Sequence, residues 1–396
     1  MTIEFYQKFL YFKLLKQIAS DNPAAGPEQI IEITVQNLYQ ELISEQNKIL
    51  LQLAFKPAVT QADLDSFLAH WDIEAAGSER AAVLAYMMKM HPELKFDAYT
   101  GPRLKGLLDY LRFQNLELVG HFSKIVKRLN GLGIEPMIIK GGAMRYLRPD
   151  LPRVMGDIDI LLPAQSPWDK IHQLVREMGY IFSGYMHSID VHPADNPKKG
   201  IIDIHQYFSF MPKADEKFIT EMFQRATRQK IFLASAYLPA VEDMFFICLS
   251  NLANNLRATT SVQGIPIALF DLTYLVGLKK DFNWDIVIQD IIQTHSEAYG
   301  YMAIRFINQV LPDIFPKSLL NHKVLRRRSI DQINRDKFYI LWVHEVKHAC
   351  KRLKFTKCLQ NWSDLKHYLK MEGQHFLTKR IVKHPSLIRL FFRVFS

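Results

Sequence analysis

The chain has few cysteines and no long apolar run. Its three cysteines (Cys248, Cys350 and Cys358) are odd in number and lack metal-ligand spacing, so neither a disulfide framework nor a zinc finger is expected. No apolar run reaches the roughly 18–20 residues that a membrane-spanning helix needs. The first segment, MTIEFYQKFLYFKLLKQIAS, mixes charges with apolar residues, which is typical of an amphipathic helix and not of a signal peptide. These absences predict a cytoplasmic protein without a transmembrane segment.

Positive charge is concentrated at one end. The net charge is +10, yet residues 321–396 hold 18 basic and 5 acidic residues, against 32 and 35 in residues 1–320. A composition of 48% hydrophobic and 23% charged residues over 396 positions indicates a globular protein of two or three domains. The basic tail could contact RNA phosphates or an acidic membrane surface, or be a solvated helical face. These three interpretations stay open.

Apolar spacing divides the chain into helical and strand-like parts. Helical spacing prevails in residues 1–95, where Thr60 or Asp63 is the predicted start of one helix. A long amphipathic helix opens at Pro102 and ends at Gly131 and Gly133. Beyond Pro239 the helical spacing returns and continues to the end.

Between these regions the pattern alternates strands and helices. PMIIK, DIDILL, YIFSGYMHSIDVH and GIIDIHQYF are the predicted strands, and a helix between the second and third has Ser166 as N-cap and Pro167 as its first residue. This order indicates a mixed α+β or α/β sheet over about residues 134–212. The chain is therefore predicted to have four parts: 1–100 helical, 101–235 with the sheet, 236–320 helical, and 321–396 a basic helical tail.

Two aspartates lie inside the second apolar strand. Side chains alternate along a strand, so Asp157 and Asp159 share one face while Ile158 and Ile160 point into the core. Two such carboxylates repel each other unless a cation neutralises them, and carboxylate oxygens suit Mg²⁺ or Mn²⁺. Asp203, on a later strand, is placed the same way. Three acids on neighbouring strands could hold two metal ions for a displacement at phosphorus.

A glycine pair follows the first strand directly. Gly141 and Gly142 leave backbone N–H groups at a helix N-terminus, which is a favourable place for a phosphate. Lys140 precedes them, and three arginines follow before Asp157. The predicted cations for a triphosphate are Lys140, Arg145, Arg148 and Arg153. Arg153 could equally be an exposed loop arginine.

These motifs together resemble the nucleotidyltransferase superfamily of DNA polymerase beta, with its hydrophobic-Gly-Gly/Ser turn, Asp-x-Asp strand and third acid. More narrowly, Lys-Gly-Gly-Ala, Arg-x-x-Gly-Asp-Ile-Asp-Ile-Leu-Leu and Asp-Ile-His resemble a bacterial nucleotidyltransferase family, over roughly residues 100–315. Two departures from the broad pattern are a spacer of fourteen residues between Gly142 and Asp157 and a lysine at position 140. The narrower family has that lysine.

The resemblance implies transfer of a nucleoside monophosphate from an NTP to an acceptor hydroxyl of a protein, small molecule or RNA, with release of pyrophosphate. Asp157, Asp159 and Asp203 would bind the metals, and Asp203 could take the acceptor's proton. Gly141 and Gly142 would hold the triphosphate. The alternatives are a metal-dependent glycosyltransferase, which also uses Asp-x-Asp, and a non-catalytic nucleotide-binding module.

Several histidines are secondary candidates. His205 shares the face of Asp203, and His187 and His192 lie on the preceding strand; each could be a site residue or a hydrogen-bonded strand histidine. His344-Glu345-Val346-Lys347-His348 matches the zinc-protease pattern His-Glu-x-x-His. Its basic surroundings and the lack of a companion motif argue against zinc.

Overall fold

The computed structural model describes most of residues 26–331. The residues it leaves undescribed within that range are 44, 57, 75–76, 149–152, 185–187, 195–200, 207–211, 232–233 and 259–264. The HEVKH segment, the closing apolar segment and the first 25 residues therefore lie outside the described residues. Among the described helices, none is long and apolar enough to cross a membrane.

Five helices precede the sheet. They are α1 (Pro27–Leu42), α2 (Glu45–Ala54), α3 (Gln61–Leu68), α4 (Gly77–Met90) and α5 (Thr100–Gly131). Thr60 is the N-cap of α3, in a capping box with Asp63. The long helix α5 begins at Thr100, slightly before the predicted Pro102, and the chain leaves it through Gly133, whose φ of 75° suits glycine. The helical prediction for this region is confirmed in the described residues.

A seven-stranded mixed sheet with three interspersed helices follows. Its elements are β1 (Met137–Ile139), α6 (Lys140–Leu147), β2 (Asp157–Leu161), α7 (Trp168–Glu177), β3 (Tyr180–Gly184), β4 (Ser188–Pro193), β5 (Ile201–His205), α8 (Pro212–Arg225), β6 (Thr227–Ile231) and β7 (Ala234–Leu238). The strand order is β3-β4-β5-β2-β1-β7-β6. The β5–β2 and β1–β7 pairs are parallel and the others antiparallel. The predicted mixed sheet is confirmed.

Two local predictions were wrong, and two strands were missed. YIFSGYMHSIDVH is two antiparallel strands, β3 and β4, whose register pairs Tyr180 with Pro193 and Gly184 with Ile189. The strands β6 and β7 were missed because the exposed β6 sequence TRQKI has no apolar alternation. Ser166 is not an N-cap: its hydroxyl donates to the carbonyl of Pro163, and α7 begins at Trp168 after Pro167. The strand β7 also spans the proposed boundary at residue 235.

Six helices of the described residues follow the sheet. They are α9 (Val241–Ala258), α10 (Ile265–Leu278), α11 (Trp284–Gln293), α12 (Glu297–Val310), α13 (Lys317–Leu320) and α14 (residues 323–331). The α10 helix joins the N-terminal helices, since the Phe270 ring lies 5.6 Å from that of Phe55 and 5.2 Å from that of Tyr86. In the tail, Arg326 pairs with Glu28 and Arg328 with Glu297.

Close packing at one glycine fixes the helix that begins the site. The helix α6 contacts β1 and β2, and a Cβ at Gly142 would lie 2.8 Å from Ile138 Cγ2 and 3.1 Å from Ile158 Cγ2. Both isoleucines are buried in strands and cannot retreat far. Gly142 therefore permits close helix–sheet contact.

We expect Gly142→Ala to lower the free energy of unfolding by about 1–3 kcal/mol, because the added methyl group overpacks the interface. Gly120→Ala is the matched control, because a Cβ at that exposed position in α5 meets nothing within 4 Å. That change should instead stabilise the protein, by up to ~1 kcal/mol. Urea denaturation of both variants measures the difference, and equal effects would refute the packing role of Gly142.

A buried acid pair links α8, α9 and α11. Arg225 makes a two-pronged ion pair with Asp243 and reaches Asp290 at 3.2 Å. Burial first, and then the neighbouring Asp243, raise the pKa of Asp290 to about 8. Arg225 can therefore neutralise the single negative charge that remains when Asp243 and Asp290 share one proton.

This pair predicts a pH dependence of stability. The folded Asp290 carboxyl keeps its proton up to about pH 8, whereas an unfolded aspartic acid loses it near pH ~4. Folding therefore takes up a proton between these values, and stability falls as pH rises through this window. We expect Asp290→Asn to reduce this loss of stability by on the order of 2 kcal/mol. Urea denaturation at pH 5 and pH 8 measures it. The control Asp281→Asn, at an exposed position, should leave the loss of stability unchanged. A wild-type pH profile in Asp290→Asn would contradict the assignment.

Candidate active site

The aspartates of β2 and β5 meet because the two strands are parallel neighbours. Their register pairs Asp159 directly with Asp203, so both side chains lie on one face of the sheet. Asp157 is two residues earlier in β2 and shares that face. The intervening Ile158 and Ile160 are buried on the opposite face. The structure therefore brings together the three acids that the sequence predicted.

Lys140 neutralises the most buried of these acids. It begins α6 with a φ of 51°, an uncommon left-handed backbone conformation for a lysine. Its Nζ donates to Asp159 Oδ1 at 2.5 Å, and the Asp159 side chain is only 5% exposed. Burial alone would raise the pKa of Asp159, but the charge of Lys140 and the hydrogen bond from His205 lower it to about 2. Asp159 is therefore ionised at neutral pH.

His205 bridges two carboxylates. Its Nε2 lies 2.9 Å from Asp159 Oδ1 and 3.0 Å from Asp203 Oδ2. Burial and Lys140 lower the pKa of His205, but hydrogen bonds to Asp159 and Asp203 outweigh them and raise it. The buried imidazole is thus held in a carboxylate environment that favours its charged form.

Asp157 has a different electrostatic environment from Asp159. Burial first, and then the charge of Asp159, raise the pKa of Asp157 to about 6. Lys140 opposes this rise, yet its nearest carboxylate is Asp159. The two aspartates of the Asp-x-Asp strand therefore differ in pKa although they share one face.

A cation could be held between β2 and β5. Ligand atoms of Asp159, Asp203 and His205 all lie within 4.8 Å of one another. Asp203 Oδ1 is buried and has no hydrogen-bond partner among the described residues. Such an orphaned acceptor beside two other donor atoms fits a metal ion with oxygen and imidazole ligands. Asp157, which was predicted as a metal ligand, lies on the same face but outside this closest group.

The glycine pair lies inside the first turn of α6, since that helix starts at Lys140. The backbone N–H groups of this turn have no partner within the helix, as expected at a helix N-terminus. Gly142 is required by its contact with Ile138 and Ile158, as described above. A Cβ at Gly141 would meet Met155 Cγ at 3.3 Å. The glycines thus serve packing as well as leaving the turn open.

Arg153 does not present a free guanidinium to a phosphate. Its Nε and Nη2 bind the Asp271 carboxylate, each at 2.9 Å from Oδ2, and Nη1 donates to the carbonyl of Val154. The prediction of a phosphate-contacting Arg153 therefore needs correction, because these donors are already used within the fold. Arg145 differs, since its Nε is buried without a hydrogen-bond partner in the described part of the chain.

Sequence reasoning missed one acid of the same sheet face, Asp190, and had kept His192 only as a secondary candidate. Asp190 of β4 pairs in register with Asp203, and His192 is two residues on. Burial and then Asp203 raise the pKa of Asp190, and His192 Nδ1 is buried with no partner among the described residues. The alternation in SIDVH was the available signal, but only the register placed it beside β5. His187 lies outside the described residues.

Comparisons with known proteins bear on this arrangement. A crystal structure of an antigenic nucleotidyltransferase-like protein from Paracoccidioides brasiliensis is similar, with 16% identity and a TM-score of 0.35 over 52% of this chain and 92% of that one. No curated protein matches the chain. A family model described as "uncharacterised nucleotidyltransferase" matches residues 78–312, more than half of the chain.

The family match assigns this mixed α/β protein to the nucleotidyltransferase class. The chain belongs to the family described as uncharacterised nucleotidyltransferases. The family resemblance inferred from the motifs is confirmed.

Removing the Lys140 charge should affect Asp159 first. We expect Lys140→Met to raise the pKa of Asp159 above its value of about 2. It should also lower the free energy of unfolding by about 1–3 kcal/mol. This loss is smaller than for a buried carboxylate left without any partner, because His205 still contacts Asp159. A depressed carboxyl pKa stabilises the fold above pH ~4, and this stabilisation disappears as pH falls through the folded pKa. The difference between variant and wild type should therefore shrink towards pH 2.

The measurement is a carboxyl ¹³C NMR titration with urea denaturation, both in EDTA so that no metal replaces the lysine. Lys124→Met is the control, because Lys124 is exposed on α5. If the two variants have equal stability and an unchanged Asp159 titration, the ion pair does not hold Asp159 in its charged form.

Proposed function

We propose that this protein transfers a nucleoside monophosphate from an NTP to an acceptor hydroxyl, with Mg²⁺ or Mn²⁺ as cofactor and pyrophosphate as the second product. The observation that carries this proposal is the direct pairing of Asp159 with Asp203 on adjacent parallel strands, with Asp157 on the same face. Family membership supports nucleotidyl transfer over the glycosyltransferase alternative. The intact set of acids favours an active enzyme over a non-catalytic module.

Asp157, Asp159 and Asp203 are the residues that would hold the metal, and His205 would join them as a ligand only after losing its proton. The unpartnered Asp203 Oδ1 and the clustered donor atoms fit such an ion. When bound, a divalent cation supplies neutralisation of phosphate charge and orientation for in-line displacement. Until then, Lys140 and His205 supply the positive charge that Asp159 requires.

The phosphates would be received at the start of α6. The N–H groups of Gly141 and Gly142, which have no partner within the helix, favour an anion, and Lys140 adds a positive charge beside them. Arg145 is on the next turn of the same helix and has an unused Nε. We therefore assign the cationic role to Lys140 and Arg145 in place of Arg153.

The acceptor hydroxyl needs a base to take its proton. His205 is an unsuitable base because its carboxylate partners favour the charged form. The Lys140 ion pair occupies Asp159, so Asp203 is the better proton acceptor of these two acids. The nitrogen of His205 would then hold the Asp203 carboxylate in orientation.

The acceptor itself stays open among a protein hydroxyl, a small molecule and an RNA 3′ end. An RNA or acidic membrane partner for the basic tail, a cytoplasmic location and the four-part domain division also remain proposals. They rest on the sequence pattern, since most of the tail lies outside the described residues.

We expect Asp159→Asn and Asp203→Asn to reduce transfer at least ~100-fold without unfolding the domain, because each removes a charge that the proposed metal and phosphate chemistry needs. The assay incubates each α-³²P-labelled NTP with Mg²⁺ or Mn²⁺ and cell extract, and measures labelled acceptor and pyrophosphate. Circular dichroism checks the fold, and the exposed Asp169→Asn on α7 is the control. Wild-type labelling by either site variant would overturn the assignment.

A further inference from the structure

The segment that leads into β2 is held by side chains from two helices. Residues 153–156 form neither helix nor strand and end at Asp157. The Val154 N–H donates to Tyr86 Oη of α4 at 2.9 Å. Asn115 of α5 donates through Nδ2 to the carbonyl of Arg153 at 2.9 Å. The backbone just before the aspartate strand is therefore fixed from outside the sheet.

A third helix holds the same segment through a buried ion pair. The guanidinium of Arg153 binds Asp271 of α10 through Nε and Nη2, and the two side chains are 18% and 5% exposed. Nε donates to both carboxylate oxygens and Nη2 lies 2.9 Å from Oδ2, so the contact fixes direction as well as distance, which a single ammonium contact does not. The neighbouring Phe270 packs on Phe55 and Tyr86, so Asp271 stands on a firmly packed helix.

This segment also covers the glycine turn. A Cβ at Gly141 would lie 3.3 Å from Met155 Cγ and 3.9 Å from Arg153 Cγ. The same turn begins with Lys140, whose Nζ reaches Asp159. One short segment thus touches the start of α6 and leads directly into Asp157.

We propose that the Arg153–Asp271 ion pair is a positioning device that fixes the glycine turn and the aspartate strand relative to each other. Asp271 and Arg153 are positioning residues and not catalytic ones, since Arg153 reaches its partner on α10. This inference rests on the proposed function and goes beyond it, because it makes the helical region after the sheet necessary for the site's geometry.

Stability alone does not explain this pair. A buried ion pair is often replaceable by apolar side chains of similar size without loss of stability, whereas removal of one partner leaves an uncompensated charge. An apolar replacement does, however, lose the directional contact that orients Arg153 against Asp271. A variant that replaces both partners therefore separates a structural role from a positioning role.

The test compares Arg153→Met/Asp271→Leu with Arg225→Met/Asp243→Leu. The second pair is also a two-pronged arginine–aspartate contact, with Asp243 fully buried, but it joins α8 to α9, and its arginine also reaches Asp290 of α11. Thermal unfolding, Mn²⁺ affinity by electron paramagnetic resonance, and transfer of α-³²P label with Mn²⁺ are measured for each. Mn²⁺ binding is a readout independent of turnover.

We expect both double variants to fold. Arg153→Met/Asp271→Leu should bind Mn²⁺ about 10-fold more weakly and transfer label about 10- to 100-fold more slowly, as for other supports of metal ligands. The control should stay within about 2-fold of wild type in both, since its pair supports no site residue. Wild-type Mn²⁺ affinity and transfer in Arg153→Met/Asp271→Leu would overturn the inference.

A second variant covers the case in which the double variant does not fold. Arg153→Lys keeps the charge and loses the two-pronged contact, so it should also slow transfer about 10-fold, and wild-type behaviour would overturn the inference. The proposed function is tested by the wild type itself. If the wild type neither binds Mn²⁺ nor transfers label, the proposed function fails and this inference with it; an active wild type with an equally active Arg153 variant refutes the inference alone.

Discussion

The site depends on one constraint: the buried carboxylate of Asp159 must be matched by positive charge. Desolvation disfavours an ionised acid, and here Lys140 and His205 offset that cost from two sides. Lys140 follows β1 directly, starts α6 in a left-handed backbone conformation, and reaches Asp159 through Nζ. The ionised state of Asp159 on β2 therefore depends on the turn between β1 and α6, where Lys140 lies.

The same constraint explains why the acids have unequal environments. Burial and the charge of Asp159 raise the pKa of Asp157 to about 6, whereas Lys140 and His205 overcome burial and lower the pKa of Asp159 to about 2. Asp203 shares His205 with Asp159 and keeps one oxygen without a partner among the described residues. A cation that binds at this face would therefore meet carboxylates that differ in pKa and in how many of their oxygens already have a partner.

Packing outside the sheet reaches the site through a few contacts. Gly142 lets α6 approach β1 and β2, and the segment before Asp157 is bonded to α4, α5 and α10. The family match covers residues 78–312, from α4 to the helices beyond the sheet. The helices on both sides of the sheet are thus physically connected to the carboxylates.

The sequence by itself determined the helical regions, the central strands and the three acids, because these signals are local: apolar spacing, a glycine pair, and alternation around Asp157 and Asp159. It could not determine the exposed strand β6, whose residues show no alternation, or the split of β3 from β4. Only the tertiary structure decided that Asp159 faces Asp203, because register joins residues 44 positions apart in the chain. Likewise, Arg153 has the sequence context of a phosphate ligand, and only the packing of α10 gave it Asp271, a partner 118 residues away.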